Sequence, residues 1–127
     1  VTQDAITILL VDDGDGVRSV ARMVLSRAGY RVLECSNGID ALRLLDEADH
    51  PVDVVVSDML MPGMSGRDLA SEVRIRHPAA VVVLMSGSSR ASLEKDAPLQ
   101  GDTVFIAKPF TSAVLLHAVA TALAARE

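Results

Sequence analysis

The sequence predicts an α/β fold, a parallel sheet wound on both faces by helices into three layers, and three observations predict it. Short apolar runs rich in β-branched residues recur at 6–11, 52–57, 81–85 and 104–107. Each is too short for a lone helix and too continuously apolar for a strand with one wet face, so each reads as a strand covered on both sides. Stretches of helical periodicity separate these runs. The length of 127 residues with 50% hydrophobic content suits one domain around one sizeable core. The whole chain, 1–127, is therefore expected to be a single domain with its core over about 6–125.

The elements follow in order. After the first run, Val17, Val20, Ala21, Val24, Leu25 and Ala28 recur at steps of three and one, which puts them on one stripe of a helix. Asp15 is placed to cap its start and Gly29 its end. The run 30–35 is interrupted by Arg31 and Glu34, which predicts a strand at a sheet edge. Ala41, Leu42, Leu45 and Ala48 mark a second helix. A third runs from about Ser65 to Arg76 with Leu69, Ala70 and Val73 inward. Between 86 and 103, Ser, Gly and Pro98 leave only 92–96 with helical tendency, so the fourth helix is expected to be short or mobile. The last helix, Ser112 to Ala125, turns Leu115, Ala118, Val119, Ala122 and Leu123 inward. Val114 and Leu116 lie off that stripe, which offers part of a partner face. The order is βα five times, and right-handed crossovers leave few topologies for it. With the second strand at an edge, the flavodoxin-like order 2-1-3-4-5 is favoured.

Charge and composition exclude several functions. A net charge of -5 with no Lys/Arg run argues against nucleic acid or an anionic membrane as direct partner. Cys35 is the only cysteine, so no internal disulfide or cysteine-rich metal site is available, and a reducing compartment, the cytoplasm, is the expected home. No apolar stretch approaches the roughly 20 residues that span a bilayer, and the amino end lacks the pattern of a signal peptide. The absence of an initial Met suggests a segment of something longer. His50, His77 and His117 lack ligand spacing and read as surface residues.

Ligands of open parallel sheets bind beyond the carboxyl ends of the strands. Here those ends carry Asp12-Asp13, Asp58, Ser86-Gly87 and Lys108-Pro109. Three carboxylates, a hydroxyl and an ammonium thus face one rim. Converging carboxylates repel, and a hard divalent cation relieves the conflict. Oxygen-only donors select Mg²⁺ over zinc, with Mn²⁺ as a substitute, and Mg²⁺ combines naturally with one or two carboxylates and a phosphate oxygen.

The runs Val11-Asp12-Asp13, Asp58-Met59-Leu60-Met61-Pro62-Gly63, Met85-Ser86-Gly87 and Lys108-Pro109-Phe110 resemble, in order and position, the response-regulator receiver family of two-component signalling. The resemblance extends from about Ile6 to the final helix. It implies that Asp58 is the phosphoacceptor, that Asp13 and the Leu60 carbonyl bind Mg²⁺ directly, and that Asp12 acts largely through water. It also implies that Ser86 and Lys108 bind phosphoryl oxygens, helped by backbone N–H groups of Met59, Leu60 and Gly87, and that the bond before Pro109 is cis and aims Lys108 into the site. The donor would be a phosphohistidine on a sensor histidine kinase or a phosphotransfer protein, or a small acyl phosphate. The switch would involve Ser86 and Phe105, with a downstream partner at the face of the fourth helix, fifth strand and fifth helix. Leu60 and Ser88 hold positions that tune dephosphorylation in the family. The Ser86-Gly87 variant, the irregular region after it and the start at 7–11 are similar to receivers attached to membrane-tethered hybrid sensor kinases.

Other readings compete. The reading as a signalling phosphoacceptor, not a metabolic enzyme, stands beside an aspartyl-nucleophile phosphohydrolase, which usually has a second carboxylate where Leu60 stands. A flavodoxin-like cofactor binder would want hydroxyls and glycines where the first loop has acids. A receiver-like scaffold that is never phosphorylated is a third alternative. Singly, Asp12-Asp13 could be a capped turn, Pro62-Gly63 a plain turn, Lys108 a surface lysine, and Phe105 or Cys35 ordinary core residues.

Overall fold

The apolar runs pair side by side, and how deeply each is buried depends on its place in the sheet. In the computed structural model, which describes residues 6–49, 51–87 and 103–125, the chain runs β1 (Thr7–Val11), α1 (Asp15–Arg27), β2 (Arg31–Cys35), α2 (Gly38–Glu47), β3 (Val54–Asp58), α3 (Gly66–Arg76), β4 (Val81–Ser86), β5 (Val104–Ala107) and α4 (Ser112–Ala125). The strands form one sheet in the order β2-β1-β3-β4-β5, all parallel. Every residue of β1 and β3 is buried, whereas β2, at the edge, exposes Arg31 and Glu34. The helix expected between β4 and β5, with Ser88 and Pro98, lies outside the described residues, as does His50.

Side chains alternate across a strand, so the sheet serves two cores. Leu9, Val11 and Val55 pack under α2 and α3 with Ala41, Leu42, Leu69 and Val73. Ile8, Leu10, Val54 and Val56 pack under α1 and α4 with Ala21, Leu25, Leu115 and Val119. Each fully buried Leu contributes about 2 kcal/mol by removal from water, so the five-residue β1 is a strong anchor for the loop that follows it.

Local chemistry sets the helix ends. Asn37 accepts from the Asp40 N–H at 2.8 Å and Ser65 from the Asp68 N–H at 3.1 Å, which starts α2 and α3. At the end of α1, Gly29 takes φ +100°, its N–H donates to the Ser26 carbonyl and the Tyr30 N–H to the Leu25 carbonyl, the paired bonds of a left-handed cap. Three expectations need correction. Asp15 does not cap α1: Gly14 holds that position without a side-chain bond, and the Asp15 carboxylate pairs with Arg18. The inward stripe of α1 is narrower than its pattern, with Ala21 and Leu25 buried and Val17, Val20 and Ala28 exposed. A helix lying on a sheet buries the line directed at it and leaves its flanks outside. Leu116 is half-buried against the second core, so of the proposed partner pair only Val114 is exposed.

Cys35 closes β2, half-buried against the first core, where burial pushes its thiol up to about 11. It is therefore a thiol, not a thiolate, at neutral pH. His117 is exposed, but His77 is only partly so, its Nε2 standing 2.8 Å from Asp46 Oδ1. Among the described residues no helix is long and apolar enough to cross a membrane.

Candidate functional site

Parallel strands send their carboxyl ends to the same side, and four of these ends build one acidic rim. Asp12 follows β1 and is 1% exposed. Its Oδ1 accepts from the Gly14 N–H at 2.7 Å and its Oδ2 from Lys108 Nζ at 3.0 Å. Asp58, the last residue of β3, is buried, with Oδ1 3.4 Å from the same Nζ. Asp13 is exposed, and one carboxylate oxygen from each of Asp12, Asp13 and Asp58 lies within 4.8 Å of the others. Ser86 ends β4, buried, and its carbonyl accepts from the Lys108 N–H at 2.7 Å. The Lys108-Pro109 peptide bond is cis. Residues up to 96 positions apart in sequence therefore meet.

Of the three amides expected to face a phosphoryl group, Met59 needs correction. Its N–H donates to the Met85 carbonyl at 2.8 Å, the bond that closes the last β3–β4 pair, Asp58 with Met85. The Leu60 N–H instead bonds the Asp58 carboxyl, and the Leu60 side chain is 66% exposed. Gly87 is exposed at the rim. Phe105 is half-buried at the margin of the first core, flanked by Val104 and Val114 in an apolar groove between β5 and α4.

The charges are poised. Burial pushes the Asp58 carboxyl above its usual range; Lys108 opposes that shift, the charge of Asp12 adds to it, and the bonds from Lys108 and the Leu60 N–H oppose it. Burial works to lower Lys108, but its bond to Asp12 and the charges of Asp12 and Asp58 outweigh it and leave its pKa raised. One ammonium thus faces two of the three carboxylates, Asp12 and Asp58. The donor set of hard oxygens, two of its three residues buried, fits a divalent cation of the Mg²⁺ type held by Asp12, Asp13 and Asp58.

The raised pKa of Asp58 has a consequence for stability. An acid whose folded pKa lies above its unfolded value destabilises the fold while ionised, and the cost disappears as pH falls through the folded value, where the native state takes up the proton first. Asp58→Asn is expected to raise the melting temperature at neutral pH, with the gain shrinking on acidification. Calorimetry from pH 7 downward checks this, and a variant that melts below wild type at pH 7 would contradict it.

Two residues of the site had not been singled out from the sequence. Arg18 binds the Asp12 carbonyl through Nη1 at 2.7 Å, and its spacing of three from Asp15 is the signal that could have revealed it. Gly66 donates its N–H to the Met59 carbonyl at 2.8 Å, and a Cβ there would lie 2.4 Å from the Asp58 carbonyl oxygen. Nothing local in the sequence marks that approach.

Comparison with known proteins agrees with this geometry. The family described as the response regulator receiver domain matches residues 8–120. The chain is 37% identical over 105 residues to the sensor kinase CckA of Brucella abortus, covering 83% of this chain but only 11% of the kinase. It is similar to the crystal structure of a response regulator receiver protein from Sinorhizobium medicae, with TM-score 0.86, 32% identity and 98% of both chains covered. The chemotaxis response regulator CheY4 of Vibrio cholerae aligns with TM-score 0.84 and 26% identity over 94% of this chain and all of that one. A family match spanning nearly the whole sheet and its flanking helices makes this chain a member of the response regulator receiver family, the phosphoacceptor modules of two-component signalling.

Proposed function

We propose that this chain, as a single receiver domain over 1–127, takes a phosphoryl group onto Asp58 from a phosphohistidine of a sensor histidine kinase or histidine phosphotransfer protein. The observation that carries the reading is Lys108 Nζ reaching Asp12 at 3.0 Å and Asp58 at 3.4 Å across the rim. An oxygen of Asp58 forms the bond to phosphorus as the bond from phosphorus to the imidazole nitrogen breaks, and the electron pair leaves with the imidazole. Lys108 and the Ser86 hydroxyl take phosphoryl oxygens, and the Leu60 and Gly87 N–H groups add donors. Asp12, Asp13, Asp58 and the Leu60 carbonyl would hold Mg²⁺ or Mn²⁺, which when bound neutralises charge on the transferred group. Water later cleaves the aspartyl phosphate, so the chain catalyses only its own modification and reset.

The output is a shift between two packings, in which Ser86 moves toward the phosphoryl group and Phe105 turns further inward. The groove of Val104, Phe105, Val114 and His117 is the surface a downstream protein would read. The chain spans a small part of the sensor kinase CckA; as the receiver of a hybrid sensor kinase, it would share one cytoplasmic, membrane-tethered polypeptide with its donor. A phosphohydrolase has less support, because exposed, apolar Leu60 stands two residues after Asp58.

Intact-mass measurement after incubation with Mg²⁺ and acetyl phosphate tests the reading. Wild type is expected to gain one phosphoryl group, and chelation of the metal to prevent it. Absence of any adduct, or sustained turnover of a simple phosphoester, would overturn it.

A further inference from the structure

We infer that Arg18 is a positioning residue for the cation site, holding the loop that carries Asp12 and Asp13 in its binding geometry. The inference rests on the reading of the rim as a divalent-cation site. Arg18 makes three directed bonds from one guanidinium: Nη1 to the Asp12 carbonyl at 2.7 Å, Nη2 to Asp15 Oδ1 at 2.7 Å and Nε to Glu34 Oε1 at 3.1 Å. It thereby joins the end of β1, the first turn of α1 and the edge strand β2. Its side chain is only 18% exposed, against 46% for Arg22 one turn further along the same helix.

The point of attachment matters. The Asp12 N–H donates to the Cys35 carbonyl at 3.2 Å, and its carbonyl is held by Arg18, so the backbone of this residue is fastened on both sides. The Asp12 carbonyl belongs to the peptide unit that leads into Asp13, and fixing that plane fixes where the Asp13 carboxylate begins. Without Arg18, that carbonyl keeps no partner among these bonds and the plane can turn. A guanidinium suits the task because its planar fork carries five donors at fixed angles, whereas a lysine offers a point charge with no such geometry. Asp15 and Glu34 set two negative charges around it, which offsets the repulsion it would exert on a nearby cation.

Charge and position predict opposite results, which makes the role testable. Were Arg18 important only as a charge, removing it would strengthen cation binding, since like charges repel. As a positioning residue, its loss weakens binding. Arg22 is the control, because it pairs with Glu34 Oε2 at 3.1 Å from the same helix.

Mn²⁺ titration of wild type, Arg18→Ala, Arg18→Lys and Arg22→Ala, read by the electron paramagnetic resonance of free Mn²⁺, tests this, with melting temperatures taken in chelator. Arg18→Ala is expected to weaken Mn²⁺ binding about tenfold, the lower end of the effect of removing a group that orients metal ligands. Arg18→Lys, which keeps the charge, is expected to recover only a small part, and Arg22→Ala to bind as wild type or slightly tighter. Arg18→Ala binding as tightly as wild type or tighter would overturn the inference, as would full recovery by Arg18→Lys. The lysine variant decides the matter should the alanine variant fail to fold. Wild type that binds no Mn²⁺ would instead overturn the cation reading, and this inference with it.

Discussion

Asp58→Asn is expected to gain no phosphoryl group from acetyl phosphate under conditions in which wild type is labelled. The amide has nearly the shape of the carboxyl and can still meet Lys108 and the Leu60 N–H, so the rim should keep its form. It lacks the anionic oxygen that attacks phosphorus, and loss of a nucleophile lowers rates about a thousandfold or more. Intact mass measures the adduct, and the neutral-pH melting temperature, expected to rise, shows that the variant is folded. Labelling equal to wild type would move the acceptor to Asp12 or Asp13, the remaining carboxylates of the cluster.

Gly66→Ala is expected to lose about 3 kcal/mol of stability, toward the upper end of what overpacking a tight site usually costs. The new Cβ would lie 2.4 Å from the Asp58 carbonyl oxygen, 2.8 Å from Met59 Cα and 3.1 Å from the Asp58 carbonyl carbon. All three are backbone atoms, so no side chain can swing aside; α3 must move off the end of β3, and Asp58 moves with it. Gly38→Ala is the comparison. Its three nearest atoms would all belong to the Met64 side chain, Sδ at 2.8 Å and Cβ and Cγ at 3.0 Å; the flexible thioether can turn away, and only Cβ must give with its backbone. Its cost is expected to be about 1 kcal/mol, well below that of Gly66→Ala. Urea unfolding at neutral pH compares the two, and equal midpoints would refute the steric account.

How far the sequence revealed this molecule depended on whether the information was local. β1, β3 and β4 could be read because burial on both faces demands unbroken apolar runs, and β2 because Arg31 and Glu34 mark an edge. α3 and α4 followed from periodicity. The stripe of α1 was overdrawn, since apolar spacing cannot tell which valines the neighbouring sheet is wide enough to cover. The cluster of Asp12, Asp13, Asp58 and Lys108 could be anticipated because parallel topology carries strand ends to one rim. The Met59 N–H, the hold of Arg18 on a carbonyl and the crowding at Gly66 could not. The spacing of Arg18 from Asp15 marks the residue but not the carbonyl it reaches; each of these contacts depends on where the folded backbone places one amide or carbonyl, and side-chain identity does not encode that.

The ammonium of the rim follows β5, four residues long and last in the sheet order, whereas Asp12 follows and Asp58 ends a strand flanked on both sides. The acidic half of the site is thus anchored on central strands and the basic half on an edge strand, so a protein seated along β5 would bear directly on the strand that delivers the ammonium.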